Sequence, residues 1–155
     1  MPSDTADSLR RSARRVIADL RELATLTSNP QGAQRVAWGP VWRQARGWLQ
    51  DKLLPLQLTQ SPDAAGNNWV TLPGESDRTV IIGGHLDSVP NGGWLDGTLG
   101  VVVALEALRR YGNGSKPPVT LRLVDWADEE GARFGKSLFG SSACAGALAV
   151  TIAMG

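Results

Sequence analysis

The stretch Thr79-Val-Ile-Ile-Gly-Gly-His85-Leu-Asp87-Ser-Val-Pro-Asn-Gly-Gly-Trp-Leu-Asp96-Gly-Thr-Leu-Gly-Val101 decides the fold. Its first four residues are β-branched, a side-chain class that favours the pleated strand. The predicted strand runs straight into Gly83, Gly84 and His85. Glycine and proline then crowd a loop from Leu86 to Thr98, and Leu99 to Arg110 carries apolar residues at helical spacing. Strand, loop and helix in this order make one half of an α/β unit.

Downstream, Val119 to Val124 alternates around Arg122 as a second strand, which delivers Asp125 and the acids Asp128, Glu129 and Glu130. A last helix is expected to start near Ser141 or Ser142, either of which could cap it. Upstream, Trp69 to Leu72 is extended, Asp63-Ala-Ala-Gly-Asn67 is turn chemistry, and Leu56 to Gln60 alternates as a short strand. Trp42, Ala45, Trp48, Leu49 and Leu53 predict a helix from about Val41 to Leu53, preceded by a loop from Thr27 to Gly39. The chain opens on an amphipathic helix through Leu9, Ala13, Val16, Ile17, Leu20 and Leu23, its mixed charges forming a solvated face. Strands alternating with helices predict an α/β fold with a mostly parallel central sheet flanked by helices. There is no internal repeat and no clear linker.

Composition narrows the functional classes. The 155 residues, 42% of them hydrophobic, suit one domain with a real core. Sixteen basic against fifteen acidic side chains give a net charge of +1 with no basic stripe, so no nucleic-acid partner is expected. Cys144 is the single cysteine; it lies in a small apolar run and reads as a packed hydrophobe, with no internal disulfide. The apolar tail from Ala143 to Gly155 falls short of the about 20 residues that cross a bilayer. No signal peptide is evident, and a soluble, cytoplasmic protein is the expectation.

The candidate chemistry sits after the two strands. In open α/β sheets, sites form beyond the carboxyl ends of strands. If the two strands are neighbours, His85, Asp87, Asp96, Asp128, Glu129 and Glu130 share one mouth. An imidazole and carboxylates suit zinc or a similar divalent ion. Asp87, two residues beyond His85 on extended backbone, would face the same way and could accept the imidazole's second N–H. Of the adjacent Glu129 and Glu130, one could hold a metal while the other takes a proton from water. Each element also has a structural reading: a paired histidine, an Asp96-Gly97 turn or helix cap, a solvated acidic run. Gly135-Lys136-Ser137 lacks the first glycine of a phosphate loop, and no Gly-x-Ser-x-Gly elbow supports a serine triad.

The string from Gly83 to Val101 closely resembles the first metal-binding signature of the hydantoinase/carbamoylase family of amidohydrolases. Asp128-Glu-Glu-Gly-Ala-Arg-Phe-Gly135, followed by Leu138-Phe-Gly-Ser141, resembles the second, and Asp63 to Asn67 resembles the segment before the first metal strand. The family includes N-carbamoyl-L-amino-acid hydrolases, β-ureidopropionase-like enzymes and allantoate amidohydrolases, within the aminoacylase-like and carboxypeptidase-like metallopeptidase superfamily. The likeness runs from about Ala13 to Ala147. Leu95 departs from the aromatic residue usual in relatives, and Trp94 from a frequent polar one.

This resemblance implies a zinc-peptidase-like catalytic domain, with residues 1–155 as its N-terminal portion. It implies two divalent ions, zinc or manganese, with His85 a ligand of one, Asp96 the bridge and Glu130 a ligand of the other. Glu129 matches the general base and Asp87 the carboxylate behind His85. The implied reaction is hydrolysis of a non-peptide C–N bond in N-carbamoyl-L-amino acids or related small ureido compounds. Relatives continue into two further histidine ligands and a lid domain through which the family usually forms homodimers. His85 is the only histidine here, so a chain inactive by itself is the expectation. The alternatives are a non-catalytic fragment, a subunit completed by a second chain, or an aminoacylase or metallopeptidase of the same superfamily.

Overall fold

In a computed structural model, residues 2–112 and 116–148 are described, with side chains from residue 6 onward. Helix α1 spans Pro2–Thr27, followed by a two-residue hairpin of β1 (Ser28–Asn29) and β2 (Gly32–Ala33). Helix α2 (Pro40–Leu53), β3 (Ser61–Pro62), β4 (Asn68–Leu72) and β5 (Thr79–His85) come next. Helix α3 (Thr98–Gly112), β6 (Thr120–Trp126) and the short α4 (Phe139–Cys144) complete the described elements.

The two site-bearing strands are neighbours. β5 and β6 pair in parallel from Thr79 opposite Thr120 to His85 opposite Trp126. A parallel pair needs a crossover, and α3 supplies it. The sheet order is β3-β4-β6-β5, which leaves β5 at one edge among the described residues. Val80 and Ile81 on that edge are 45% and 52% exposed.

The sheet is mixed rather than mostly parallel: β3 pairs antiparallel with β4, and β4 antiparallel with β6. The chain reverses on both sides of β4, at the Asp63 turn before it and over residues 73–78 after it. Asp63 Oδ1 accepts the N–H groups of Ala65 and Asn67, which reverses the chain tightly and forces a hairpin. The expected strand at Leu56 to Gln60 is also absent. Pro55 lies in the first turn of a 3-10 helix over Leu54–Leu56, where its missing N–H costs nothing, and Gln57 closes it at φ 57°.

The helices cover one face of the sheet. Leu20 and Leu23 of α1, Trp42, Leu49 and Leu53 of α2, and Val101, Leu105 and Leu108 of α3 meet Val70, Leu121 and Leu123 in one core. Each fully buried aliphatic side chain there contributes about 1.5–3 kcal/mol. The buried stripe of α1 is narrower than its apolar pattern, since Leu9 and Ile17 are exposed. On the opposite face Trp69 and Trp126 meet edge to face at 5.4 Å, with the Arg122 guanidinium 4.2 Å from the Trp69 ring centre.

Helix α4 begins at Phe139, after Leu138 at φ 59°, so neither Ser141 nor Ser142 caps it. No helix among the described residues is long and apolar enough to cross a membrane. The tail beyond Leu148 lies outside the described residues.

Candidate metal centre

His85 ends β5, and its side chain is set by what packs on it. Gly97, at φ 63°, lies against the imidazole, and α3 begins one residue later. Gly100 lets the first turn of α3 approach the β5 backbone: a Cβ there would fall 2.2 Å from the carbonyl oxygen of Gly83. This close approach brings Asp96, just before α3, over the end of β5. Glu130 arrives from the turn that follows β6.

His85, Asp96 and Glu130 each offer an atom within 4.8 Å of the others. His85 Nε2 lies 4.0 Å from Asp96 Oδ1 and 3.9 Å from Glu130 Oε1. Both separations exceed a hydrogen bond. An ion with ligand distances of about 2.0–2.2 Å fits between atoms so spaced after small side-chain adjustment. One nitrogen and two carboxylate oxygens are a borderline-to-hard donor set suited to zinc, manganese or similar divalent ions.

The supporting contacts fix which ring nitrogen is free. His85 Nδ1 stands 3.0 Å from the backbone carbonyl oxygen of Asp87. A carbonyl only accepts, so the proton belongs on Nδ1 and the Nε2 lone pair faces Asp96 and Glu130. The expected partner was the Asp87 carboxylate, but that group is 3.6 Å from Nδ1. The strand ends at His85, and with it the alternation that would have aligned the two side chains. The Asp87 carboxylate instead accepts the N–H groups of Glu129 and Glu130, each at 3.2 Å. It ties the second acidic loop to the first.

Of the six polar groups expected at one mouth, three converge and three support or diverge. Asp128 is fully buried at φ 49° and turns back to accept the N–H groups of Arg133 and Phe134, each at 3.0 Å. Glu129 accepts a hydrogen bond from Ser141 Oγ at 2.9 Å. The sequence offers Ser141 or Ser142 as a helix cap; the place of Ser141 beside Glu129 depends on a left-handed residue at Leu138, which no spacing rule reveals. Asp125, which the sequence places at the end of the strand without a role, supports the site as well. Buried at the end of β6, its Oδ2 takes Arg46 Nε at 2.7 Å and its Oδ1 the Leu86 N–H at 2.7 Å.

Burial, with repulsion from neighbouring acids, disfavours the ionised forms of Asp87 and Glu130. Burial pushes the Asp87 carboxyl up to about 6, against the pull of His85 and of the Glu130 and Glu129 amides. Glu130 is also pushed above the usual carboxylate range, first by burial and then by the neighbouring Asp96. A cation between Asp96 and Glu130 would relieve that repulsion.

Known proteins resemble this chain in sequence and in fold. A profile of peptidase family M28 matches residues 67–152. An N-carbamoyl-L-amino-acid amidohydrolase of Paenarthrobacter aurescens is 35% identical over 140 residues, covering 88% of this chain and 34% of the relative. An allantoate deiminase of Arabidopsis thaliana is 30% identical over 145 residues, 87% of this chain and 27% of the relative. A crystal structure of a hydantoinase/carbamoylase family amidase from Burkholderia ambifaria superposes with a TM-score of 0.83 at 34% identity, over 90% of this chain and 35% of that one. The chain therefore spans about a third of the length of the relatives it matches.

Proposed function

From the premise that this chain belongs to peptidase family M28 and is similar to hydantoinase/carbamoylase amidohydrolases, we propose that it forms part of a metal-dependent C–N hydrolase. The substrates would be N-carbamoyl-L-amino acids or related ureido compounds, the chemistry that the relatives' names describe. The observation that carries the reading is the meeting of His85 Nε2, Asp96 and Glu130 at the carboxyl ends of two adjacent parallel strands.

His85, Asp96 and Glu130 would hold a divalent ion, zinc or manganese. Bound there, such an ion lowers the pKa of water and polarises the scissile carbonyl. Glu129 would act as the general base. The Ser141 hydroxyl donates to its carboxylate at 2.9 Å and would hold it in place. Asp87 would be a positioning residue, holding the Glu129–Glu130 backbone and, through its own carbonyl, the His85 ring. Two ions need more ligands than the described residues supply; three protein ligands suffice for one. We therefore expect these 155 residues to bind a single ion, or to bind metal weakly, with little or no turnover by themselves. That second element rests on His85 being the sole histidine of the sequence.

The test is a titration of the metal-free chain with Zn2+, Mn2+ and Co2+, followed by an assay for ammonia release from N-carbamoyl-L-amino acids. One ion per chain, lost in His85→Asn, supports the reading. Failure to bind any of the three ions would sink it. Hydrolysis of dipeptides in place of carbamoyl compounds would move the chain to the peptidase side of its family.

A further inference from the structure

Arg35 is completely buried, yet its guanidinium bonds only to uncharged oxygens. Nε donates to the Leu86 carbonyl at 2.6 Å, Nη1 to Thr27 Oγ1 at 3.0 Å and Nη2 to Thr98 Oγ1 at 2.9 Å. Asp87 and Asp125 act on that charge through space without bonding to it, burial still works against it, and an apolar side chain of like volume often stabilises a fold as well or better. The position of Arg35 therefore calls for a reason other than stability.

Its three donors supply one. Leu86 directly follows His85, and its two backbone polar groups are both taken by buried charged side chains. Asp125 Oδ1 accepts the N–H at 2.7 Å, and Arg35 Nε donates to the C=O. The peptides on either side of Leu86 are thus clamped, and the chain cannot rotate there without breaking a charge-assisted bond. The other end of the guanidinium holds Thr98, whose hydroxyl donates to the Asp96 carbonyl at 3.2 Å. The Arg35 backbone joins in: its N–H donates to Ser88 Oγ and its carbonyl accepts the Ser88 N–H. One planar, rigid side chain therefore spans the loop after His85 and the corner after Asp96. Its fork geometry suits this, whereas a lysine could satisfy only part of it.

We infer that Arg35 is a positioning residue of the candidate metal centre, fixing the His85 imidazole and the Asp96 carboxylate relative to one another from beneath the site. The inference rests on the reading of His85, Asp96 and Glu130 as metal ligands, but part of it is observable without metal. His85 is the only histidine, so nitrogen-15 NMR of the imidazole reports on a single ring.

The experiment compares the 155-residue chain with Arg35→Met, Arg35→Lys, Thr98→Val and the distant core variant Leu53→Ala. Each is measured metal-free by NMR and then titrated with Co2+ by visible absorption, below its melting temperature. The wild-type ring should show one tautomer, protonated at Nδ1. Arg35→Met should show a mixture of tautomers and bind Co2+ about 10- to 100-fold more weakly, the usual effect of losing a supporting contact behind a ligand. Arg35→Lys should fall between. Thr98→Val leaves the Leu86 clamp in place, so the tautomer should persist while Co2+ affinity drops through Asp96. Leu53→Ala should lose stability and leave both readouts unchanged.

Arg35→Lys and Thr98→Val carry the test if Arg35→Met fails to fold. Wild-type tautomer and wild-type Co2+ affinity in the folded Arg35 and Thr98 variants would overturn the inference. A wild-type ring that is fixed, released by the Arg35 variants and untouched by Co2+ would leave the positioning of His85 standing and overturn the metal reading alone.

Discussion

Gly97 lies flat against the His85 imidazole: a Cβ on Gly97 would fall 2.2 Å from Cδ2 and 2.3 Å from Nε2. The contact covers the part of the ring formed by Cγ, Cδ2 and Nε2. Gly97 also sits at φ 63°, where a side chain costs about 1–2 kcal/mol. Gly97→Ala should therefore rotate or displace the ring, lose at least about 10-fold in Co2+ affinity and melt at lower temperature. Unchanged Co2+ affinity would mean that the ring has room the structure does not show.

The Asp96 carboxylate beside Glu130 should act in opposite directions on metal affinity and on metal-free stability. The Asp96 side chain is 71% exposed, and its charge stands beside that of Glu130. Asp96→Asn should abolish Zn2+ binding. In EDTA, however, the same variant should be at least as stable as wild type, because a repulsion has been removed. Thermal melts with and without Zn2+ check both halves. A variant destabilised in EDTA speaks against repulsion at the site.

For Asp87 the pH dependence has a definite sign. Its folded carboxyl titrates near 6, above the about 3.9 of an unfolded aspartate. The folded chain thus holds the proton more tightly. The resulting stability is fully present below about pH 3.9 and is lost as pH rises through about 6, amounting to at most about 3 kcal/mol. Asp87→Asn lacks this titration. In urea denaturation of metal-free protein, the wild-type advantage over Asp87→Asn should shrink as pH is raised across that window; an advantage that grew would contradict the assignment.

Asn67 anchors the acidic loop from below. Its Oδ1 accepts the Ala127 N–H at 3.0 Å, and its Nδ2 donates to the Gly140 carbonyl at 2.9 Å. Asn67→Ala would leave the buried Ala127 N–H unpaired and remove one bond to the Gly140 carbonyl, at a cost of about 1–3 kcal/mol. Urea titration measures the loss. A cost below about 1 kcal/mol would show that water replaces the side chain.

Much of this was legible in the residues. The β-branched run before Gly83 and the alternation around Arg122 announced the two strands, and their acids emerged at one end of the sheet as expected. What escaped depended on contacts distant in sequence or on left-handed backbone. Nothing local marks Ser141 as the partner of Glu129, because the contact needs Leu138 at positive φ. The division of labour within Asp87, carbonyl to the ring and carboxylate to the next loop, depends on where β5 stops. The Asp63 turn pairs β3 antiparallel with β4, and the second reversal, over residues 73–78, sets β4 antiparallel to β6 and makes the sheet mixed.

The strand that presents His85 is the outermost strand of the described sheet, hydrogen-bonded on one side only. Edge strands open more readily than central ones, and their amides exchange with solvent first. Fraying of β5 and imprecision of the imidazole are therefore one motion rather than two. Anything that paired with the free side of β5 would slow amide exchange in Gly83 and Gly84 and sharpen the ligand geometry at the same time. Local breathing of the sheet edge, more than the identity of the ligands, would then set how well this half of the site is formed at any instant.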